Sequence, residues 1–398
     1  MSIGLLAPLT ERKGYHLFKL ILVPFIFIYS AGCHVEQNPQ KIGINGDSGL
    51  ETDIADLFSS VAYLPLVKSS NKFHKVDQLR TSKDWIYILT SPPEENQSEV
   101  MIFGRAEGRY FRSIKGGFSG PYDIKFISCI DIYQGRLYVM DPLQAKVIVY
   151  DEQGVRLTEL SVPDEYRKFT VLEEHALILD SDEAPTPSGI RLLYFNTQTG
   201  QSMPLRNNGK VQSGMARERF FCKSNTDFLF YTAYDPNVYR IKQSGMDTLY
   251  RFDFGTRLIL ESDIPPNINT NLPMLNDLLD EGRRFTTMFG FMDFNSSLFF
   301  AYYLNNHIRF VRIGLREGGY LTDQFELNRN SLDGGPLPDL PPLGYSDPGE
   351  LVFVYDAEYI FNLCHDKSGN ERRSPELSAL CNKIKIDDNP VLAFYRMK

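Results

Sequence analysis

Two aspartates that follow apolar runs are the first residues in this chain whose type and position could do chemistry. Asp141 ends Leu137-Tyr138-Val139-Met140, and Asp180 ends Ala176-Leu177-Ile178-Leu179. Carboxylates at strand ends can ligate a cation lining a channel. An aspartate just past a strand more commonly accepts from the backbone two residues on, in an Asx turn, and that role is expected here. A calcium site needs several oxygens converging, and no EF-hand-like spacing occurs. Of six histidines, His16 and His34 lie near the N-terminus, while His74, His175, His307 and His365 are scattered. None forms the H-x-H or H-E-x-x-H pair that zinc chemistry uses. Ser119, in Gly117-Phe118-Ser119-Gly120, lacks the G-x-S-x-G frame of a nucleophile elbow. The acidic pairs Glu94-Glu95 and Asp387-Asp388 fall in turns and read as solvated charge. No catalytic residue, metal ligand or cofactor is therefore expected.

Five cysteines are too few and too scattered for a disulfide framework. Cys129 and Cys222 lie in apolar strands and read as core. For Cys364 and Cys381, two free thiols are expected ahead of a disulfide, and a disulfide ahead of half a metal site with His365. Cys33 is different. Arg12, Lys13 and Lys19 precede the apolar run LILVPFIFIY (residues 20–29), which is shorter than the ~20 residues a membrane span needs and suits a secretory h-region. The run ends in Ser30-Ala31-Gly32-Cys33, which resembles a bacterial lipobox with Ser30 where that pattern prefers Leu. On this reading residues 1–32 are a signal peptide and Cys33 is the lipid attachment site. Residues 33–53, polar and rich in Gly and Asn, are a tether. Several acyl chains on one cysteine anchor stably where a single chain does not. The alternative is an ordinary signal peptide with a chance cysteine.

The elements that would position these groups are strands. The chain has 398 residues, 42% hydrophobic and 23% charged, enough for a substantial core, and its 28 Phe and 22 Tyr favour strands. A net charge of −8 leaves no basic footprint for a nucleic acid. Residues 136–140, 146–150 and 155–160 read as consecutive strands, separated by Asp141-Pro142 and by Asp151-Glu152-Gln153-Gly154. Val147-Ile148-Val149-Tyr150 is apolar at every position, so that strand expects cover on both faces. Similar units recur, beginning near Lys75, Arg136, Lys168, Glu218, Arg284 and Leu351; Leu137 to Ala176 is 39 residues and Ala176 to Phe228 is 52, an irregular version of the ~40–50 residue period of propeller blades.

The expected fold is therefore all-β: a six-bladed β-propeller over residues 54–398. Leu275, Leu278 and Leu279 predict a short helical insertion over residues 274–281. Ser374-Pro375 with Leu377, Leu380, Cys381 and Ile384 predicts a C-terminal helix. The last unit is short of strands. Residues 61–66 could complete it by pairing with the final strand, 391–396, so that both chain ends close the ring and remove an exposed edge.

Several segments taken in order resemble the six-bladed β-propeller lipoproteins of Bacteroidetes, relatives of the NHL-repeat propellers. They are Tyr63-Leu64-Pro65-Leu66, Asp84-Trp85-Ile86-Tyr87-Ile88-Leu89, and Leu137-Tyr138-Val139-Met140-Asp141 with Val147-Ile148-Val149-Tyr150-Asp151 and Gly154. The connector at residues 116–122 is similar to that family's Gly-Pro-Gly loop, though Phe118-Ser119 departs from it. The ending Asp387-Asp388-Asn389-Pro390-Val391-Leu392 is also similar. The resemblance implies fold and export and supplies no catalytic residue. The expected function is a binding or interaction module, lipid-anchored in the cell envelope, whose partner is a glycan, a peptide or an envelope protein. Two alternatives are a metal-dependent propeller hydrolase or lyase with its site in the central channel, and a scaffold subunit of an outer-membrane assembly.

Overall fold

Short apolar runs bounded by aspartate and glycine turns pair with their chain neighbours, and the chain forms six small sheets. The structure is a computed structural model. It describes residues 39–44, 50–67, 73, 75–91, 98–117, 123–181, 186–207, 221–223, 227–232, 235–255, 288–294, 297–304, 307–316, 319–338, 344–345, 349–366 and 373–398. Blade 1 comprises Gln78–Thr81, Trp85–Thr90, Glu99–Gly104 and Tyr110–Lys115. Blade 2 comprises Cys129–Tyr133, Arg136–Asp141, Lys146–Tyr150 and Arg156–Ser161. Blade 3 comprises Lys168–Glu173, Ala176–Asp180, Ile190–Asn196 and Ser202–Asn207. Blade 4 comprises Phe221–Lys223, Phe228–Phe230, Asn237–Lys242 and Gly245–Asp253. Blade 5 comprises Met288–Phe294, Ser297–Leu304, His307–Arg316 and Gly319–Arg329. Blade 6 draws Gly344–Tyr345, Glu350–Tyr355 and Val391–Met397 from the end of the chain. The first strands of blades 1, 2 and 3 neighbour one another in turn, as do those of blades 4 and 5, and the first strand of blade 6 returns to that of blade 1.

Each junction between blades holds its own apolar cluster. In Lys146–Tyr150, Val147 and Val149 enter the cluster shared with blade 3, while Ile148 and Tyr150 enter the one shared with blade 1. That is the two-sided cover the unbroken apolar run required. Large aromatics fill these layers: Tyr87, Phe103, Tyr302 and Tyr395 are fully buried. The six-bladed all-β expectation is thus met. Among the described residues no helix is long and apolar enough to cross a membrane.

The stretch expected as a tether departs from expectation. β1 (Gln40–Gly43) pairs in parallel with Gly245–Asp253, adding a fifth strand to blade 4. β2 (Leu50–Asp53) does the same for blade 5 against Gly319–Arg329. A helix of one turn, α1 (Ile54–Leu57), follows, and then β3 (Phe58–Pro65). β3 pairs antiparallel with Val391–Met397 and completes blade 6, the ring closure expected from residues 61–66. The sequence of β1 and β2 looked like linker because a rim strand is held mainly by backbone hydrogen bonds. It needs few apolar side chains, here Ile42 with Ile44 just beyond.

Two helices pack on blade 6. α3 (Pro375–Cys381) is the expected C-terminal helix, with Ser374 Oγ accepting from Leu377 N–H at 3.1 Å. α2 (Ala357–His365) was not anticipated. It brings Cys364 beside Cys381, and the two form a disulfide in place of the expected free thiols. The predicted insertion over 274–281 and the signal and lipid site through Cys33 lie outside the described residues.

Candidate functional site

The first strand of each blade has no sheet partner on its inner side, so its N–H groups there need other acceptors. For blades 2 and 3 a side chain from the preceding blade supplies one. Gln78 of blade 1 reaches to blade 2: its Oε1 accepts from Ile130 N–H at 2.9 Å, and its Nε2 donates to Ser128 O at 3.2 Å. Asp131 of blade 2 does the same for blade 3. Its Oδ2 accepts from Val171 N–H at 2.9 Å and from Thr170 Oγ1 at 2.8 Å. Arg80 Nε stands 3.3 Å from Asp131 Oδ1, and Lys223 Nζ of blade 4 stands 3.6 Å from Oδ2. Lys223 also lies 3.5 Å from Ile132 O and over the Tyr133 ring. Four consecutive blades thus meet at one buried carboxylate between two cations. Both oxygens of Asp131 are engaged, so this arrangement positions blades. Removing either cation would leave a buried charge less compensated.

The two aspartates singled out from the sequence have separate partners. Asp141 Oδ1 accepts from Leu143 N–H at 3.1 Å and Gln144 N–H at 3.3 Å, the Asx turn expected of it. Its Oδ2 accepts from Lys125 N–H at 2.7 Å, tying the incoming connector to blade 2. Nearby, burial and then the Arg156 guanidinium lower the Lys146 ammonium below its ordinary value, with Asp141 acting against them. Asp180 has another partner: Arg191 Nε lies 3.5 Å from its Oδ1 in the buried layer between blades 3 and 4. In that layer Arg206 Nη2 and Tyr239 Oη donate to Asp235 Oδ2 at 2.9 and 2.8 Å. Arg191 and Arg206 both lie over the Phe230 ring. Sequence reasoning missed this layer and the Asp131 hub, because their members come from different blades at no fixed spacing.

The remaining candidates are dispersed. His365 stacks on Phe361 at 4.0 Å, with Nδ1 2.8 Å from Phe361 O at the end of α2. His175 is exposed at a turn, and His307 opens a strand of blade 5. Asp388 Oδ2 accepts from Lys385 N–H at 2.8 Å, a turn role as expected. Cys129 and Cys222 are buried and form no disulfide, and burial pushes the Cys129 thiol up. Among the described residues no three His, Cys, Asp or Glu side chains gather as a metal-holding group. Cys33, His16, His34, His74, Glu94, Glu95 and Ser119 lie outside the described residues.

The blade geometry has relatives of known structure. A Bacteroides fragilis protein, named as a candidate exported protein, aligns over 90% of this chain and 100% of its own, at 19% identity and a TM-score of 0.70. A member of the DUF4221 family from Bacteroides vulgatus aligns over 86% of this chain and 97% of its own, at 8% identity and a TM-score of 0.48. Virginiamycin B lyase from Staphylococcus aureus aligns over 74% of this chain and 81% of its own, at 15% identity and a TM-score of 0.40. No curated protein matches by sequence. The domain of unknown function DUF4934 matches residues 40–396, from the first residue of β1 to the last strand of blade 6. With the rim strands inside that match and the six blades complete, the chain belongs to the DUF4934 family.

Proposed function

We propose that this protein is an exported, lipid-anchored propeller of the bacterial cell envelope that works as a binding module for a glycan, a peptide or another envelope protein. One observation carries the binding reading. Asp131, Asp141 and Asp180, the strand carboxylates best placed for channel chemistry, are engaged by N–H, hydroxyl or guanidinium groups of their own fold. What the propeller offers outward is contact surface, including Phe111 and Leu157 at the outer strands of blades 1 and 2. Export is supported by the charged and apolar N-terminus and by the Cys364–Cys381 bond, which suits an oxidising compartment. The test is metal analysis of the purified mature chain, together with binding to arrayed envelope glycans and peptides. Saturable binding that leaves the ligand unchanged is expected. A tight stoichiometric metal with turnover of a bound ligand would sink the reading.

A further inference from the structure

The chain's one tryptophan, Trp85, is half-buried at the margin of the layer between blades 1 and 2. Its partner across the sheet is Gly104, which has no side chain to cover the indole. The ring reaches past that strand to Phe111 of the outer strand, with centroids 4.9 Å apart and planes tilted by 49°. Phe111 is 48% exposed, a bulged residue between the pairs Phe103↔Tyr110 and Ile102↔Arg112. The indole N–H makes no hydrogen bond among the described residues. The turn of blade 2 steadies this pair from beside it. Arg112 Nη1 donates to Gln153 O at 3.2 Å, and the guanidinium lies 5.9 Å from the Phe111 centroid. Tyr87 Oη donates to Glu152 O at 3.0 Å. Arg112 is exposed and has no carboxylate partner among the described residues. Asp151 of the same turn is engaged by Gln153 and Val155 N–H, at 3.0 and 2.7 Å.

We infer that this is a binding site for an acidic glycan, in which the apolar face of a uronate ring stacks on Trp85 and Phe111 while its carboxylate pairs with Arg112. The inference deepens the binding-module reading proposed above and rests on it. Charge selects an anion: with Nη1 on Gln153, Nε and Nη2 remain to take a carboxylate side-on in two parallel N–H···O bonds. Placement selects a ring over a peptide. The indole and the phenyl lie on the face of the sheet toward blade 2, whereas an extended peptide would add along the open edge of Tyr110–Lys115 through backbone hydrogen bonds. The indole N–H is left to donate to a sugar hydroxyl. Because the blade 2 turn already holds Arg112, little ordering is lost when the ligand arrives.

Trp85 is the single tryptophan, so its emission reports this site alone. The test titrates the purified full chain with oligosaccharides of galacturonate, glucuronate and mannuronate, with their methyl esters, and with polyglutamate. A saturable emission change with at least one uronate is expected. It should weaken at least tenfold for the methyl ester and for Arg112→Gln, disappear in Phe111→Ala, and weaken as salt rises. The comparison of acid with ester uses the wild-type chain, so a variant that fails to fold cannot decide it. Equal binding of acid and ester, or an Arg112→Gln chain that binds as wild type does, overturns the acidic ligand. A larger response to polyglutamate than to any uronate overturns the sugar. Silence with all three uronates overturns the site. Arrayed envelope ligands that then bind without moving the Trp85 emission would leave the binding-module reading standing, with its surface elsewhere.

Discussion

Blades 1–3 and blades 4–6 solve the problem of a sheet's outer edge in different ways. In the first three, each blade ends on its own fourth strand. In blade 2 that strand, Arg156–Ser161, is exposed at nearly every position, and Leu157 is 53% exposed. Charge guards this edge: Glu159 pairs with Arg156 and with Lys146. In the last three blades one N-terminal segment runs along the rim. β1 adds to blade 4, β2 adds to blade 5, and β3 supplies the missing strand of blade 6. Val67 then touches blade 1, with Tyr110 N–H donating to Val67 O at 2.9 Å. Half of the ring is therefore built from local repeats, and the other half is held by a strap distant in sequence from the strands it covers.

Cutting the strap should separate its two tasks. A chain beginning at Leu66 lacks β3, and with it Phe58, buried 5.2 Å from the Tyr395 ring. It is expected to lose cooperative thermal unfolding and to aggregate, because blade 6 then has an open edge and the ring has no closure. A chain beginning at Ile54 keeps β3 and loses β1 and β2. It should fold, with a lower Tm and a greater tendency to self-associate. Circular dichroism melts and size-exclusion chromatography distinguish these outcomes; equal behaviour of the two truncations would mean that the strap is one unit.

Single residues sharpen the same contrast. Ile42→Ala empties a fully buried site under β1 and should cost about 2–5 kcal/mol in urea unfolding. Leu157→Ala on the bare edge of blade 2 should stay within about 0.5 kcal/mol. A harmless Ile42→Ala would mean that β1 contributes nothing to the stability of blade 4.

The two halves also differ in how far their sequences announced them. The second and third strands of blade 1 fall where the apolar runs place them, Trp85–Thr90 and Glu99–Gly104, because a strand covered on both faces is apolar at every step. Gly154 marks its turn for a physical reason as well: φ is +76°, and a Cβ there would lie 2.7 Å from Ile102 Cδ1. The strap had no such signature. Ile42 pairs with Phe252, so distant in sequence that no local periodicity records it. α2 was missed because its apolar residues directly follow a strand, and without α2 nothing brought Cys364 to Cys381. The Asp131 hub was illegible for the same kind of reason as the strap. The N–H that Asp131 satisfies belongs to Val171, one blade away.

Two contacts in blade 6 should show intermediate effects. Reducing the Cys364–Cys381 bond opens a loop of 17 residues' separation, worth about 3 kcal/mol on loop entropy. Wild-type Tm should fall in reductant, while the Cys364→Ser/Cys381→Ser variant should not respond. Gly335→Ala would press a Cβ against Tyr63 Oη, which reaches from β3, and put it 2.9 Å from Asp333 Oδ2. Overpacking of this kind should cost about 1–3 kcal/mol. Most of that should vanish in a Tyr63→Phe background if the phenol is the clash. Burial, then Tyr395 and Asp333, drives the Tyr63 phenol far above its usual range, so its charge plays no part in the cycle.

The smallest expected effect lies where the strap turns from blade 5 toward blade 6. Asp53 Oδ1 accepts from Ala55 N–H at 3.0 Å, capping α1, and from Ser331 N–H at 2.9 Å, while Arg329 Nε stands 3.5 Å from Oδ2. Burial pushes its carboxyl up, but the bonds from Ala55 and Ser331 and the Arg329 charge outweigh that and hold it below the usual carboxylate value. A folded pKa below the unfolded ~3.9 means stability present above that pH and lost as pH falls through the folded value. Asp53→Asn keeps the cap acceptor and removes the charge. Its Tm should therefore lie below wild type at pH 7 and converge with it near pH 2. Asp53→Ala also loses the cap, about 0.5–2 kcal/mol, and should stay lower at both. Parallel Tm curves for Asp53→Asn and wild type down to acid pH would show that the carboxylate's charge does nothing for the strap and that its hydrogen bonds alone hold the turn.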